Sequence, residues 1–282
     1  MKIAIIGYGF VGKALKNAMQ DNVEIKIIDP KLETKISELD NFNPKIIFIC
    51  VPTPMNKDAT QDISIVLNVL DDIKKINLES LLVIKSTVHP GFLTQIEKTF
   101  PNVIYNPEFL REEFADMDFI NSNLIVFGGK KNLCNKLSAF YKNHTKCICK
   151  DHVFTDLTSS SLIKYTINSF LATKVIFFNE IYNLFKTHNA SVSWDEFTEA
   201  LSKDNRIGKS HMQVPGPDGR YGFGGACFPK DTSAILKYAE SVNCDLNLIK
   251  NAIQTNNKIR KSYDMLTDRE KEQDIKYNFE EE

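Results

Sequence analysis

The 282 residues are enough for two modest domains with their own cores, and the balance of 35 basic against 36 acidic side chains argues against a nucleic-acid or polyanion binder. Six scattered cysteines in a chain too large to need disulfide staples read as reduced thiols of a cytoplasmic protein. The longest apolar stretch, 169–185, is broken by Lys174, Asn179 and Glu180, so no membrane span is expected.

The chain opens directly on a strand-like run, residues 2–6, so no secretory leader is expected. Gly7, Gly9 and Gly12 follow as G-x-G-x-x-G, leading into a helix predicted over 11–20. The first glycine permits a tight turn, the second lets backbone approach a pyrophosphate, and the third allows close helix–strand packing. The helix start directs N–H groups and its positive end at the anion. A second strand, 24–28, ends at Asp29, where a carboxylate accepts both adenosine ribose hydroxyls and repels a 2′-phosphate, favouring NAD over NADP.

Further strands are predicted at 46–51, 81–85, 102–105 and 124–128, with helices at 62–75 and 92–99. This alternation, with strands apolar throughout, predicts a doubly wound parallel sheet covered on both faces, a Rossmann-like α/β domain over residues 1–155. Ligands bind such sheets beyond the carboxyl ends of strands. The cofactor set is therefore Gly7, Gly9, Phe10, Val11, Gly12, Asp29, Lys31, Val51, Pro52, Thr53, Ser86 and Thr87. Cys147 and Cys149 form a C-x-C pair without a second pair at zinc-like spacing. They read as strand residues facing the same side, and no metal site is expected.

From residue 156 the pattern is helical to 282, with helices predicted at 158–186, 194–202, 232–241 and 246–264. Phe170, Phe177, Phe178, Tyr182 and Phe185 do not share one stripe of the long helix, which predicts a homodimer built on it. A loop rich in glycine and proline, 204–231, ends in GFGGACFPKD, with Asp231 expected to cap the next helix. Cys227, close to a helix N-terminus and to Lys230, is expected to carry a raised thiolate fraction and act as a nucleophile. The last twenty residues are strongly charged and are expected to fray.

GYGFVG, CVPTP, KSTVHPG, NPEFLRE, Lys164 and Asn168 before FFNE, DNRIG, and FGGACFPKD occur in this order between residues 2 and 231. In them the chain resembles the UDP-glucose/GDP-mannose dehydrogenase family, and its glucose-oxidising branch most closely. The resemblance implies a four-electron oxidation of the C6 alcohol of a nucleotide sugar, UDP-glucose to UDP-glucuronate, with two NAD per turnover. Cys227 would capture the aldehyde as a thiohemiacetal that becomes a thioester. Lys164 and Asn168, on one helix face by their i, i+4 spacing, would stabilise the oxyanion. Asp231 would orient or deprotonate water, and Glu108 or Glu112 with Thr87 would move the proton of the first step. Glu108, Phe109, Leu110, Arg111 and Glu112 would line the sugar site with Lys164, Asn168, Phe223, Gly224 and Cys227. Arg206 would reach the substrate across the dimer interface, and Glu112 and Lys230 would add to the cofactor set.

Three departures accompany the resemblance. Glu113 stands where the family has glycine, and Asn121-Ser122-Asn123 replace a common Pro and Arg. The family's C-terminal nucleotide-sugar-binding domain is expected to be lacking. Two other readings compete: a short β-hydroxyacid dehydrogenase, which needs no cysteine, and a catalytically weak nucleotide-binding remnant of the family.

Overall fold

The computed structural model describes residues 1–188 and 191–277. The chain divides into two compact units, one of Met1–Thr53 and Asp62–Lys164, the other of Pro54–Gln61 and the residues from Tyr165 onward. The sequence reading placed a division at 155/156. Helix α7 (Leu157–Thr187) begins there, and the units divide inside it.

The first unit carries β1 (Lys2–Ile6), β2 (Glu24–Ile28), β3 (Ile46–Ile49), β4 (Leu81–Ile84), β5 (Val103–Tyr105), β6 (Val126–Gly129) and β7 (Val153–Thr155). They form one sheet in the order β2-β1-β3-β4-β5-β6-β7. Helices α1 (Phe10–Asn17), α2 (Leu39–Phe42), α3 (Ser64–Lys75), α4 (Pro90–Thr99), α5 (Ala115–Ile120) and α6 (Lys131–His144) lie between the strands in sequence. Alternate residues of β1 and β3 face opposite sides. Ile3, Ile5 and Phe48 join a core with α1 and α6, while Ala4, Ile47 and Ile49 join one with α3 and α4. Covering both faces explains why β3, β4 and β5 are buried at every position and apolar throughout. Each fully buried Ile or Leu here contributes about 1.5–3 kcal/mol from the apolar surface it removes from water.

One pairing corrects the parallel expectation: β6 runs antiparallel to β5, while every other neighbouring pair is parallel. Between β5 and β6 the longest helix is α5, whose six residues span only about 9 Å. That is too short to return the chain along the sheet, so β6 enters from the end where β5 leaves. The 14-residue α6 does recross it, and β7 is parallel to β6 again. Cys147 and Cys149 lie outside any strand, a second correction. The buried Cys147 N–H bonds the Thr145 hydroxyl rather than a strand partner, and the ladder resumes only at Val153.

The second unit packs α7 from Tyr165 onward with α8 (Trp194–Ser202), α9 (Phe228–Ser241), α10 (Asn247–Arg260) and α11 (Asp268–Glu272). Ser193 and Glu196 form a reciprocal capping box that starts α8, and Trp194 then packs against Phe178, Tyr182 and Phe185. The expectation of a frayed tail is wrong for residues 263–277, whereas residues 278–282 lie outside the described residues. Thr267 and Glu270 form a second capping box, and Ile275 and Tyr277 are buried with Met55 and Ala59. Apolar burial and a buried carboxylate, not net charge, decide this segment's order.

Candidate active site

In the first unit the strand order reverses at β1, which has β2 on one side and β3 on the other. Such a switch point opens a crevice beyond the strand ends. The G-x-G-x-x-G loop lies there, pinned by Gly7 N–H to Ile28 O at 2.9 Å and Cys50 N–H to Ile6 O at 2.7 Å. Gly7 has φ +91°, and a Cβ on it would lie 2.7 Å from the Cys50 carbonyl carbon. A Cβ on Gly12 would lie 2.1 Å from Gly7 O, whereas one on Gly9 would meet nothing within 4 Å. The outer glycines are thus required by packing, and the middle one faces open space at the N-cap of α1. Phe10 and Val11, half-buried, form the first turn of that helix.

Asp29 continues the cradle. Its Oδ2 accepts the Tyr8 N–H at 2.6 Å and its Oδ1 the Lys31 N–H at 2.8 Å. The carboxylate is half-buried, and each oxygen keeps a second lone pair for a ribose hydroxyl. Lys31 and Pro52 are exposed, and Val51 and Thr53 are buried. Ser86 donates its hydroxyl to Val51 O at 2.6 Å, tying the end of β4 to that of β3. An open glycine, an uncapped helix start and a carboxylate at the tip of β2 fit the pyrophosphate and ribose of NAD.

Further along the same unit, NPEFLRE follows β5. Lys164 of α7 donates its Nζ to Glu108 O at 2.6 Å and to Glu108 Oε1 at 3.1 Å, and both side chains are buried. Glu108 Oε2 accepts the Leu110 N–H at 2.6 Å, so both carboxylate oxygens are oriented. Phe109 lies under the Lys164 ammonium, 5.5 Å from it. Glu112 is exposed, and Thr87 is buried after β4. Exposed Arg111 forms a bidentate pair with Asp118.

Sequence reasoning missed the support beneath Glu108. Lys85 is 3% exposed and donates to Asn106 Oδ1 at 3.0 Å, and Tyr141 Oη donates to the same atom at 2.5 Å. Burial lowers the Lys85 pKa, and its neighbours include Cys50, Cys147, Glu108 and Lys164. A lysine closing an apolar strand was the available signal.

In the second unit Asn168, one turn beyond Lys164 on α7, donates Nδ2 to Asp231 Oδ2 at 2.6 Å. Lys230 donates Nζ to Asp231 Oδ1 at 2.5 Å, and the carboxylate is fully buried between them. Asp231 does not cap α9 as expected. Cys227 is the N-cap, and Asp231 N–H bonds Cys227 O at 2.9 Å within the first turn. Pro229 in that turn starts the helix four residues earlier than hydrophobic periodicity suggested. Lys230 accordingly pairs with Asp231.

Cys227 is half-exposed at the helix start, where the dipole favours a thiolate. Three thiols of the first unit are made poorer nucleophiles by burial, which pushes Cys50 up to about 12 and also raises Cys134 and Cys147. Phe223 is buried and Gly224 half-buried just upstream. Arg206 is exposed and forked onto Asp204. Buried Lys174 on α7 donates to Ile207 O at 2.9 Å and Gly208 O at 3.1 Å, holding the DNRIG loop. Among the described residues no cluster of His, Cys, Asp and Glu could hold a metal ion, and no helix is long and apolar enough to cross a membrane.

Two family descriptions match the chain: the NAD-binding domain of the UDP-glucose/GDP-mannose dehydrogenase family over residues 31–145, and the central domain of that family over 158–258. The chain is similar to the UDP-glucose 6-dehydrogenase of Rickettsia felis, 34% identical over 91% of this chain and 64% of that one. It is also similar to the UDP-glucose 6-dehydrogenase of Campylobacter jejuni, 30% identical over 93% of this chain and 73% of that one. Among solved structures, a UDP-glucose dehydrogenase from Pyrobaculum islandicum superposes with TM-score 0.72 at 25% identity, covering 91% of this chain and 68% of that one. The chain thus spans about two thirds of the length of these relatives.

Proposed function

Because the chain belongs to the UDP-glucose/GDP-mannose dehydrogenase family, we propose that it oxidises the C6 alcohol of UDP-glucose to the carboxylate, with Cys227 as covalent nucleophile. The observation that carries this reading is Cys227 at the N-cap of α9, with the buried Asn168–Asp231–Lys230 cluster one turn below it. A dehydrogenase that stops at an aldehyde or ketone needs no nucleophile at a helix start.

NAD, when bound by Gly7–Gly12 and Asp29, supplies the hydride acceptor. The chain's residues manage protons and oxyanions. Glu108, oriented by Lys164 and the Leu110 N–H, takes the alcohol proton, directly or through a water near Thr87. The Cys227 thiolate adds to the aldehyde, which lets the hemiacetal carbon give up a second hydride and become a thioester. Lys164 and Asn168 donate to the oxyanion of each tetrahedral species. Asp231 orients the water that hydrolyses the thioester, and sulfur leaves as thiolate. Keeping Cys227 as a thiol calls for a reducing compartment, which agrees with a cytoplasmic enzyme.

The test is NADH release from UDP-glucose, expected at two NADH per sugar and with NAD preferred to NADP. Asp29→Ala should lower NAD affinity about tenfold or more, since a charged hydrogen bond is worth roughly 1.5–3 kcal/mol, and should narrow the preference. Absence of NADH with UDP-glucose would defeat the reading, and equal use of NADP would defeat the role of Asp29.

The enzyme is further proposed to be a homodimer. Phe178, Tyr182 and Phe185 are covered by their own unit, but Phe170 is 63% and Phe177 55% exposed. With Leu162 and Leu184 they form a stripe at near-heptad spacing along α7. Sedimentation at micromolar concentration should give the dimer mass, and Phe170→Glu with Phe177→Glu should give a monomer. A monomeric parent would refute this assembly.

A further inference from the structure

The backbone of the glycine loop before Cys227 is held by buried side chains of its own unit. Asn179 Oδ1 accepts the Gly222 N–H at 3.0 Å, and Asn256 both accepts from Phe223 N at 2.7 Å and donates to Phe223 O at 3.0 Å. Arg260 donates Nη2 to Gly222 O at 3.1 Å and Nη1 to Asp218 Oδ2 at 2.6 Å. The last support comes from α11, where Glu270 Oε1 accepts the Gly225 N–H at 3.3 Å.

Glu270 has no exposed surface. Its Oε1 also accepts the Tyr277 hydroxyl at 2.5 Å and lies 3.8 Å from Arg260 Nη1, and its Oε2 accepts the Thr267 N–H at 2.7 Å. Burial alone would raise its pKa, but the bonds from Tyr277 and Thr267 and the charge of Arg260 hold it lowered. The contact with the loop is close: a Cβ on Gly224 would lie 2.6 Å from both Arg260 Cζ and Glu270 Oε1. Glycine at 224 is what allows the ion pair to reach the backbone. Both charged residues lie outside the regions matched by the family descriptions, 31–145 and 158–258.

We propose that Glu270, with Arg260 and Tyr277, is a positioning residue that fixes the Gly222–Gly225 backbone and thereby orients the Cys227 thiol at the start of α9. It acts two residues from the nucleophile, through the Gly225 amide. The catalytic consequence rests on the reading of Cys227 given above, but the effect on the thiol does not. A loop released from Glu270 would let Cys227 sample orientations away from the helix start, slowing every reaction of its sulfur. Cofactor binding would be left alone.

The experiment compares the full chain with Glu270→Gln and Ile275→Ala. The glutamine keeps the size and much of the hydrogen bonding while removing the charge opposite Arg260. Ile275→Ala removes a buried anchor of the same segment, packed with Met55 and Ala59, without touching the carboxylate. The readouts are the rate of Cys227 carbamidomethylation by iodoacetamide, followed by peptide mass, the NAD dissociation constant, and kcat and KM for UDP-glucose. Glu270→Gln should slow Cys227 alkylation and kcat together, each about fivefold or more, with NAD affinity unchanged. Ile275→Ala should lower the melting temperature and leave alkylation at the parent rate. Parent-like alkylation in Glu270→Gln, or equal slowing in both variants, would overturn the proposal. Slowed alkylation in Glu270→Gln alone, in a chain that makes no NADH from UDP-glucose, would uphold the positioning role and sink the functional reading instead.

Discussion

Cys227→Ser is expected to lower acid formation by at least about a hundredfold while leaving NAD binding at the parent level. A serine hydroxyl is barely ionised at neutral pH, so capture of the aldehyde slows. An ester formed through oxygen also hydrolyses more slowly than a thioester, because the alkoxide is the poorer leaving group. The N-cap position adds to the contrast, since the helix dipole stabilises an anion at sulfur and gains little from a neutral hydroxyl. Under single turnover, NADH per UDP-glucose should fall below two, and bound aldehyde or ester should accumulate. Two NADH and free acid at the parent rate would exclude covalent catalysis through Cys227. Oxidation of the aldehyde as its hydrate would then take its place, because that route needs no nucleophile.

Lys164→Met is expected to slow both oxidation steps, by about a hundredfold or more, the usual loss when one oxyanion donor is removed. The stem remains, so packing against Phe109 is largely kept, but the buried Glu108 carboxylate loses its cation. Leaving one partner of a buried pair uncompensated typically costs about 3–5 kcal/mol. Lys164→Met should therefore also lower the melting temperature, whereas Cys227→Ser should melt close to the parent. Parent-like rates of both oxidations in a folded Lys164→Met would remove Lys164 from the oxyanion role.

What the sequence made legible was local. Gly7, Gly9, Gly12 and Asp29 lie on one strand–turn–helix and the next strand tip, so their spacing reports their geometry directly. Continuous apolar runs announced strands covered on both faces, but periodicity carries burial and not direction. The antiparallel β6 followed from the shortness of α5 instead. The start of α9 was misplaced because Pro229 looked like part of a loop, although proline is favoured in a first helical turn. Glu270 was read as a member of a charged, fraying tail, and Arg260 only as part of a helix over 246–264. Their partners, Gly225 and Gly222, stand 45 and 38 residues away, and nothing local signals such a pairing.

The eight residues Pro54–Gln61 belong to the second unit although the gene encodes them in the middle of the first. Met55 N–H bonds Gln273 O at 3.0 Å, and Met55 and Ala59 are buried against Ile275 and Tyr277. No single cut in the reading frame can therefore separate the units. A fragment ending at residue 155 or 164 carries an apolar segment whose cover has been left on the other piece, directly after the Val51-Pro52-Thr53 turn. Expressing the cofactor half alone would require rebuilding that insertion, for example by replacing 54–61 with a short polar turn.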